Sequence, residues 1–286
     1  MKVDLHSHST ASDGALSPTA LVERAHRAGV TLLALTDHDT VAGVAEATAA
    51  AEQHGEAIRV VPGIEISCHW GRCALHLIGL GIDIDHEPLL RLIEQLRRGR
   101  LRRAEILADH LRQRGIEGAL LGATALAGSA APGRVHFANW LVASGHVDTF
   151  QQAFDRHIGN EKWQEEVTHW PHLGDAIAVV KAAGGVAVLA HPHHYRLGRL
   201  QRLALVSDFS GWGGEALELG MAGQSPDAQR LWSALARQHR LGGSVGSDFH
   251  HERTPWSDLG RSLPLPVDIA PIWEHQRLRQ PYGVCA

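Results

Sequence analysis

Histidine is the most unusual feature of this 286-residue sequence. There are 21 histidines, and many fall in short clusters with aspartate or one another, such as HSH, DHD, HPHH and DFHH. Imidazole and carboxylate groups are ligands that proteins use for hard and borderline divalent cations. The clusters therefore predict a metal-dependent site.

Two of the clusters share a spacing of two residues. His6 and His8 lie at the end of a predicted strand, and Asp248 and His250 follow another. Because alternate side chains of a strand project to one side, each pair could hold one ion. Either pair alone could equally be a solvated strand end, and Asp13 alone would be a turn aspartate.

The segment TDHDT places His38 between two aspartates directly after an apolar run. A carboxylate beside a ligating imidazole can fix its tautomer, so Asp37 or Asp39 could serve that purpose. The alternative is that Asp39 or Thr40 caps a helix.

Three ionisable residues interrupt apolar strands of the sequence. They are Glu65 in PGIEIS, His76 in ALHLIGL and His191 in VLAHP. A charge in such a place costs free energy unless it is paired or bound to a metal. One such histidine would be read as a core residue, but three anomalies of this kind favour a shared site. The candidate metal ligands are His6, His8, Asp13, His38, Glu65, His76, His191, Asp248 and His250.

The first 85 residues alternate short strand-like runs with amphipathic helical patterns, which is typical of a parallel α/β sheet or barrel. The polar clusters follow the strands, where such folds place their chemistry. A Leu- and Arg-rich segment from about Glu87 predicts a long helix, bent or broken near Gly99. We therefore expect a barrel domain over 1–86 and 171–286, with a mostly helical insertion over 87–170.

Composition narrows the class of protein. The formal net charge is -4, which excludes a global basic field for long nucleic acid. The three cysteines include no CxxC pair, so a disulfide framework or thiolate zinc site is not expected. We find no signal peptide and no apolar run long enough to span a membrane, and we expect a cytoplasmic protein with no stable protein partner.

Six segments in order resemble one known family. HSHSTASDG, LTDHDT, GIEIS, LHLIGLGID, AHPHHY and GSDFH resemble the PHP (polymerase and histidinol phosphatase) superfamily of metal-dependent phosphoesterases. GRVHFANWLV and FDRHIGNEK resemble the inserted region of its subgroup of 3',5'-nucleoside bisphosphate phosphatases and RNA 5'-end exonucleases. The resemblance implies a distorted (β/α)7 barrel with two or three divalent ions, manganese first, with iron or zinc as alternatives.

The resemblance also implies roles for individual residues. It places the ligands on three ions: His6, His8, Glu65 and Asp248 on one, Glu65, His76 and His191 on a second, and Asp13, His38 and His250 on a third. Phosphate contacts would come from Arg134, His136 and Lys162. GRVH replaces the family's GRPH, and NEKWQEE replaces a GKPAY-like segment, which weakens the assignment of Lys162. The leaving-group acid would be His193 or His136, and the sequence does not choose between them.

The implied activity is hydrolysis of a nucleotide phosphate ester. The expected reaction converts a 3',5'-nucleoside bisphosphate to the nucleoside 5'-monophosphate, with 5'-3' exonuclease action on short RNA as a related possibility. One alternative is another phosphomonoesterase, such as a histidinol phosphatase. A second alternative is a noncatalytic, metal-stabilised module.

Overall fold

The computed structural model describes residues 1–159, 170–252 and 257–279 of the chain. The chain divides into two compact units. The first unit comprises Met1–Leu90 and Pro171–Ala286, and the second comprises Arg91–Trp170. Each unit is described by itself below.

The first unit is built on a seven-stranded sheet in which every strand lies beside its neighbours in sequence. The strands are β1 (Val3–Asp4), β2 (Leu32–Leu35), β3 (Arg59–Trp70), β4 (Cys73–Leu80), β5 (Val186–Leu189), β6 (Ala216–Met221) and β7 (Gly242–Gly246). Past β1 the backbone turns to the last strand, since Leu5 N donates to Val245 O at 3.0 Å. The sheet thereby closes into a nearly complete α/β barrel, as expected.

Helices alternate with most of the strands along the chain. They are α1 (Pro18–Arg27), α2 (Val44–Glu52), α3 (Glu87–Gln113), α4 (Ala119–Ala127), α5 (Arg134–Ala143), α6 (Phe150–Ala153), α7 (Leu173–Ala182), α8 (Arg199–Gly211), α9 (Pro226–His239) and α10 (Gln276–Arg279). Short 3-10 turns occupy Gly55–Ala57, Pro192–His194 and Ile272–Glu274.

Helices α1 and α9 begin at a serine followed by proline. The Ser17 side chain accepts a hydrogen bond from Ala20 N, and the Ser225 side chain accepts one from Ala228 N. The serine satisfies an otherwise unpaired backbone donor, while proline at the first helical position loses no hydrogen bond. This local chemistry explains why both helix starts are predictable.

The barrel is not wholly parallel, because β4 is antiparallel to both β3 and β5. The other four strand pairs are parallel. Between Trp70 and Cys73 the turn contains only Gly71 and Arg72, and Gly71 has a φ of 57°. A two-residue hairpin of this kind favours glycine at its first central position. The alternation of strand and helix in the first 85 residues therefore breaks at β4, which follows β3 through a hairpin.

The second unit is mostly helical and has a core of its own. α3 to α5 pack side chains such as Leu107, Leu111, Phe137 and Leu141 together, all buried. The sequence predicts a helix bent or broken near Gly99, and α3 runs through Gly99 without interruption, so a break there is wrong. Glycine costs about 1 kcal/mol within a helix, which buried leucines along α3 outweigh.

No helix among the described residues combines the length and the hydropathy that a membrane crossing requires.

Candidate metal centre

The nine predicted ligands come together in the first unit. His6 and His8 follow β1, His38 follows β2, and the remaining members lie on or just after other strands or, like Asp13, in the loop before α1. Their ligand atoms form four overlapping groups, within each of which all atoms lie within 4.8 Å of one another. The groups are His8, Asp13, His38 and His250; His6, His8 and Asp248; His6, Glu65 and His191; and His38, Glu65 and His76.

The Glu65 carboxylate, fully buried on β3, is the centre of this arrangement. Its Oε1 lies 2.8 Å from His76 Nδ1 and 2.9 Å from His191 Nε2. Its Oε2 lies 2.7 Å from His38 Nδ1. The same Oε2 is 3.4 Å from Nε2 of both His6 and His8. One carboxylate thus reaches five imidazoles.

Two aspartates also lie close to the histidines of the cluster. Asp248 Oδ1 lies 3.2 Å from His8 Nε2 and 3.3 Å from His6 Nε2. Asp13 Oδ1 lies 3.4 Å from His250 Nε2, and its Oδ2 lies 3.9 Å from His38 Nε2. The site therefore alternates carboxylate and imidazole groups.

The electrostatics of the cluster favour an ionised Glu65 and a neutral His8, whereas the carboxylates beside His6 and His250 outweigh burial and raise the pKa of both imidazoles, that of His250 to about 10. Burial acts to raise the pKa of Glu65, but His38, His76 and His6 outweigh it and hold that pKa well below its usual range. Burial and the neighbouring His250 and His38 lower the pKa of His8 to about 3. An ionised carboxylate beside a neutral imidazole is the pair that a cation requires.

The residues fit divalent cations, as their unsatisfied atoms show. Within the described part of the chain, several buried ligand atoms make no hydrogen bond of good geometry: His6 Nε2, both ring nitrogens of His8, and the close pair His38 Nδ1 and Glu65 Oε2. Leaving a buried polar atom unpaired costs about 1–3 kcal/mol, so such atoms are rare. Cations placed among them would satisfy the lone pairs.

The donor atoms of the four groups are imidazole nitrogen and carboxylate oxygen. Cys68 and Cys73 carry free thiols and belong to none of the groups formed by described residues. Such a donor set suits manganese, iron or zinc better than a copper(I) or iron–sulfur centre.

Backbone strain is concentrated at this site. Four non-glycine residues in the described ranges have positive φ angles: Asp39 (55°), His191 (27°), Asp248 (52°) and Arg240 (55°). Arg240 ends helix α9, whereas the other three are predicted ligands or adjoin one. A positive φ for such residues costs on the order of 1–3 kcal/mol and is typical of functional sites.

The aspartates beside His38 hold the surrounding loops. Asp37 accepts hydrogen bonds from Ser9 N at 2.7 Å, from Ser9 Oγ at 2.6 Å and from Ser12 Oγ at 2.6 Å. Asp39 accepts one from Ser67 N at 2.6 Å. Asp37 thus fixes the turn that carries Asp13, which is a different task from the predicted orientation of an imidazole.

Sequence reasoning missed two residues that touch the cluster, the buried Glu218 and the half-buried Tyr195. Glu218, on β6, lies 3.1 Å from His6 Nδ1 through its Oε1. Tyr195 accepts a hydrogen bond from His76 N at 2.9 Å and donates one to Ala190 O at 2.9 Å. The signal for Glu218 was available, because ALELGM places a charge inside an apolar strand just as PGIEIS does.

The predicted substrate contacts lie in the second unit. Arg134 and His136 are in the first turn of α5, where His136 Nδ1 accepts a hydrogen bond from Gly133 N at 3.0 Å. A neutral ring with Nδ1 as acceptor carries its proton on Nε2. Lys162 lies outside the described residues. The candidate acid His193 is in the first unit, in the 3-10 turn directly after His191.

Comparison with known proteins places this arrangement in context. The chain is 41% identical over 273 residues to a 5'-3' exoribonuclease of Haemophilus influenzae, covering 96% of this chain and 98% of that protein. It is 38% identical over 278 residues to a 3',5'-nucleoside bisphosphate phosphatase of Chromobacterium violaceum, covering 97% of each.

Solved structures show the same fold. A Chromobacterium violaceum structure described as an amidohydrolase, with bound sulfate and no metal, superposes with a TM-score of 0.88 at 39% identity, covering 96% of this chain and 95% of that one. A metal-dependent phosphoesterase structure from Bifidobacterium adolescentis gives 0.77 at 29% identity, covering 97% and 94%. The profile of the PHP domain matches residues 4–160. The chain therefore belongs to the PHP domain family.

Proposed function

We propose that this chain is a metal-dependent phosphoesterase acting on nucleotides. Its main reaction would remove a phosphate from a 3',5'-nucleoside bisphosphate to leave the nucleoside 5'-monophosphate, and it would also shorten RNA from the 5' end. The observation that carries the proposal is the Glu65 carboxylate with five imidazoles within 3.4 Å. The relatives named for exoribonuclease and bisphosphate phosphatase activity support it, because both activities break a phosphate ester of a nucleotide.

Two or three divalent ions would be held by the nine residues, with manganese as the first choice and iron or zinc as alternatives. The contacts support Glu65 as a carboxylate shared between two ions, because its two oxygens face different histidines. They also support pairing Asp13 with His250. His38 would help Asp13 and His250 to hold the third ion, and its ring also lies 2.7 Å from Glu65 and 3.9 Å from Asp13.

When bound, such ions supply Lewis acidity that polarises a phosphoryl oxygen and activates water, so no protein nucleophile is required. The residues of the chain would bind and orient the substrate. The Arg134 guanidinium can hold a phosphate through two parallel hydrogen bonds, and Lys162 would add a positive charge. His136 would donate from Nε2 to a phosphate oxygen, since its Nδ1 is occupied by Gly133 N.

The occupied Nδ1 of His136 also bears on the leaving-group proton. A doubly protonated His136 would place N–H against N–H at Gly133, which makes it a poor proton donor in a catalytic cycle. We therefore propose His193 for that role and His136 for phosphate binding. Burial and His194 lower the pKa of His193 to about 4, so the negative charge of the bound phosphate would have to raise it for His193 to donate a proton.

We also propose that the protein is cytoplasmic. Cys68 and Cys73 carry free thiols, which reducing compartments maintain. This supports a cytoplasmic location, with a small nucleotide or a short RNA end as the molecule bound.

One assay tests the proposed function. Purified protein with manganese is given 3',5'-adenosine bisphosphate, a short 5'-phosphorylated RNA, p-nitrophenyl phosphate and histidinol phosphate. We expect the first two to be preferred, and His8→Ala to abolish all turnover. The control is His239→Ala, an imidazole of α9 that belongs to none of the four groups, and it should retain activity.

Each contrary outcome has a clear meaning. A preference for histidinol phosphate would favour the other phosphomonoesterase, and no turnover despite bound manganese would favour the noncatalytic module. Turnover that survives both His8→Ala and metal removal would refute the metal mechanism.

We expect Arg134→Ala to raise KM for the bisphosphate, whereas Arg114→Ala, an exposed control on the same unit, should not.

A further inference from the structure

Glu218 is a buried carboxylate for which the proposed reaction has no direct use. It lies on β6 between Leu217 and Leu219 and is fully buried. Its oxygens lie 3.1 and 3.2 Å from His6 Nδ1, and Oε2 accepts a hydrogen bond from His191 N at 2.7 Å. It belongs to none of the four groups of potential ligands found among the described residues. Burying a carboxylate is costly, so these contacts require an explanation.

We propose that Glu218 is a positioning residue that makes His6 a metal ligand by fixing its tautomer. A carboxylate only accepts hydrogen bonds, so the ring proton of His6 must lie on Nδ1, facing Glu218. The lone pair then lies on Nε2, which faces Glu65 at 3.4 Å and Asp248 at 3.3 Å. The proposal rests on the proposed function to the extent that His6 binds a metal ion.

The same carboxylate holds a second predicted ligand through the backbone. His191 has a φ of 27°, which a non-glycine residue rarely adopts. The hydrogen bond from His191 N to Glu218 Oε2 is a short contact inside the barrel that holds this conformation. Glu218 therefore couples the ligands that follow β1 and β5.

The geometry also predicts that glutamine at position 218 cannot accept all the hydrogen bonds that Glu218 accepts. Both oxygens of Glu218 face N–H donors: His191 N on Oε2 and His6 Nδ1 on both. A glutamine has one oxygen, so its NH₂ group would face one of these donors. The conflict is relieved if His6 moves its proton to Nε2, the nitrogen that the metal needs.

The test is a comparison of Glu218→Gln with Glu215→Gln. Glu215 is a matched control. Like Glu218 its carboxylate accepts a hydrogen bond from a backbone nitrogen, Ala187 N of β5 at 3.1 Å, but its nearest imidazole, His275 at 3.8 Å, belongs to none of the four groups. The readouts are the manganese dissociation constant by calorimetry and the His6 tautomer by ¹⁵N NMR of the metal-free protein. Because Glu218, Asp248 and Glu65 outweigh burial and raise the pKa of His6, the spectra are recorded at a pH high enough for its ring to be neutral.

We expect manganese to bind about 10–100-fold more weakly to Glu218→Gln, with the His6 proton moved from Nδ1 to Nε2. Glu215→Gln should bind like the wild type. Unchanged affinity in Glu218→Gln would overturn the proposal, and so would weaker binding with the proton still on Nδ1. Both readouts are independent of turnover, so failure of the proposed reaction is a separate result.

A variant that does not fold would not end the test. Glu218→Asp keeps both acceptor oxygens but is one methylene shorter, so it cannot reach His6 Nδ1 and His191 N together. We expect its manganese affinity to fall as well, and wild-type affinity would overturn the proposal.

Discussion

Gly246, the last residue of β7, is the position where adding one methyl group should most directly disturb the metal centre. A Cβ built there would lie 2.4 Å from His6 Cβ and 2.7 Å from Glu218 Oε1. Ordinary van der Waals contact begins near 3.4 Å, so His6 or β7 must move by about 1 Å. Overpacking of this kind costs about 1–3 kcal/mol. For a chain of this size, that predicts a fall in Tm of about 2–5 °C.

The same movement should weaken metal binding, because ligand sets tolerate displacements of only about 0.5 Å. We expect the manganese dissociation constant of Gly246→Ala to rise at least about tenfold, a loss similar to that from removing a group that supports a ligand. Thermal unfolding and calorimetric titration measure the two effects. The control is Gly211→Ala in α8, where a new Cβ would meet no atom within 4 Å. If Gly246→Ala matched this control in both measurements, the close approach of His6 to β7 would be refuted.

Three further predictions address the site. Removing metal with a chelator should lower the Tm, and manganese at about 100 times its dissociation constant should restore about 2.7 kcal/mol of stability. Identical melting curves with chelator and with manganese would count against bound ions. Tyr195→Phe leaves His76 N and Ala190 O without their partner and should cost about 1–3 kcal/mol in urea unfolding, whereas a wild-type midpoint would exclude that role. His193→Gln should lower kcat about 100-fold on the nucleoside bisphosphate but leave kcat on p-nitrophenyl phosphate unchanged, because that leaving group needs no proton. An equal loss of kcat on both substrates would argue against His193 as a proton donor.

Much of the barrel follows from local signals in the sequence. α9, at Pro226–His239, can be read from the sequence, because serine, proline and a periodic apolar face mark it. β2 and β5 are short runs of Leu, Val and Ala that are buried throughout, which is what their apolar sequences predict. Local patterns of this kind determine whether an element exists and where it begins.

The direction of a strand is harder to read. β4 has the same apolar pattern that a parallel strand would have, so only the turn before it reveals that it runs back along β3. That turn, with Gly71 in a left-handed conformation, was the available signal. Helix α8 was not predicted either, because its apolar residues do not form a strong stripe along one face of the helix.

The candidate site could be predicted because its ligand types are rare in strands. Glu65, His76 and His191 each stand out against apolar neighbours, and the structure brings them together. Glu218 shows the same anomaly, but a single sequence does not tell whether a buried carboxylate binds a metal or a neighbouring imidazole. That distinction depends on distances across the barrel between residues far apart in the chain.

The central claim is that cations gather around Glu65, and anomalous X-ray scattering from crystals grown with manganese tests it most directly. We expect two or three anomalous peaks at coordination distance from the nine residues, at least one of them bonded to Glu65. We expect Glu65→Gln crystals to lose the peaks that this carboxylate shares. Wild-type crystals with no peak beside Glu65 would contradict the account.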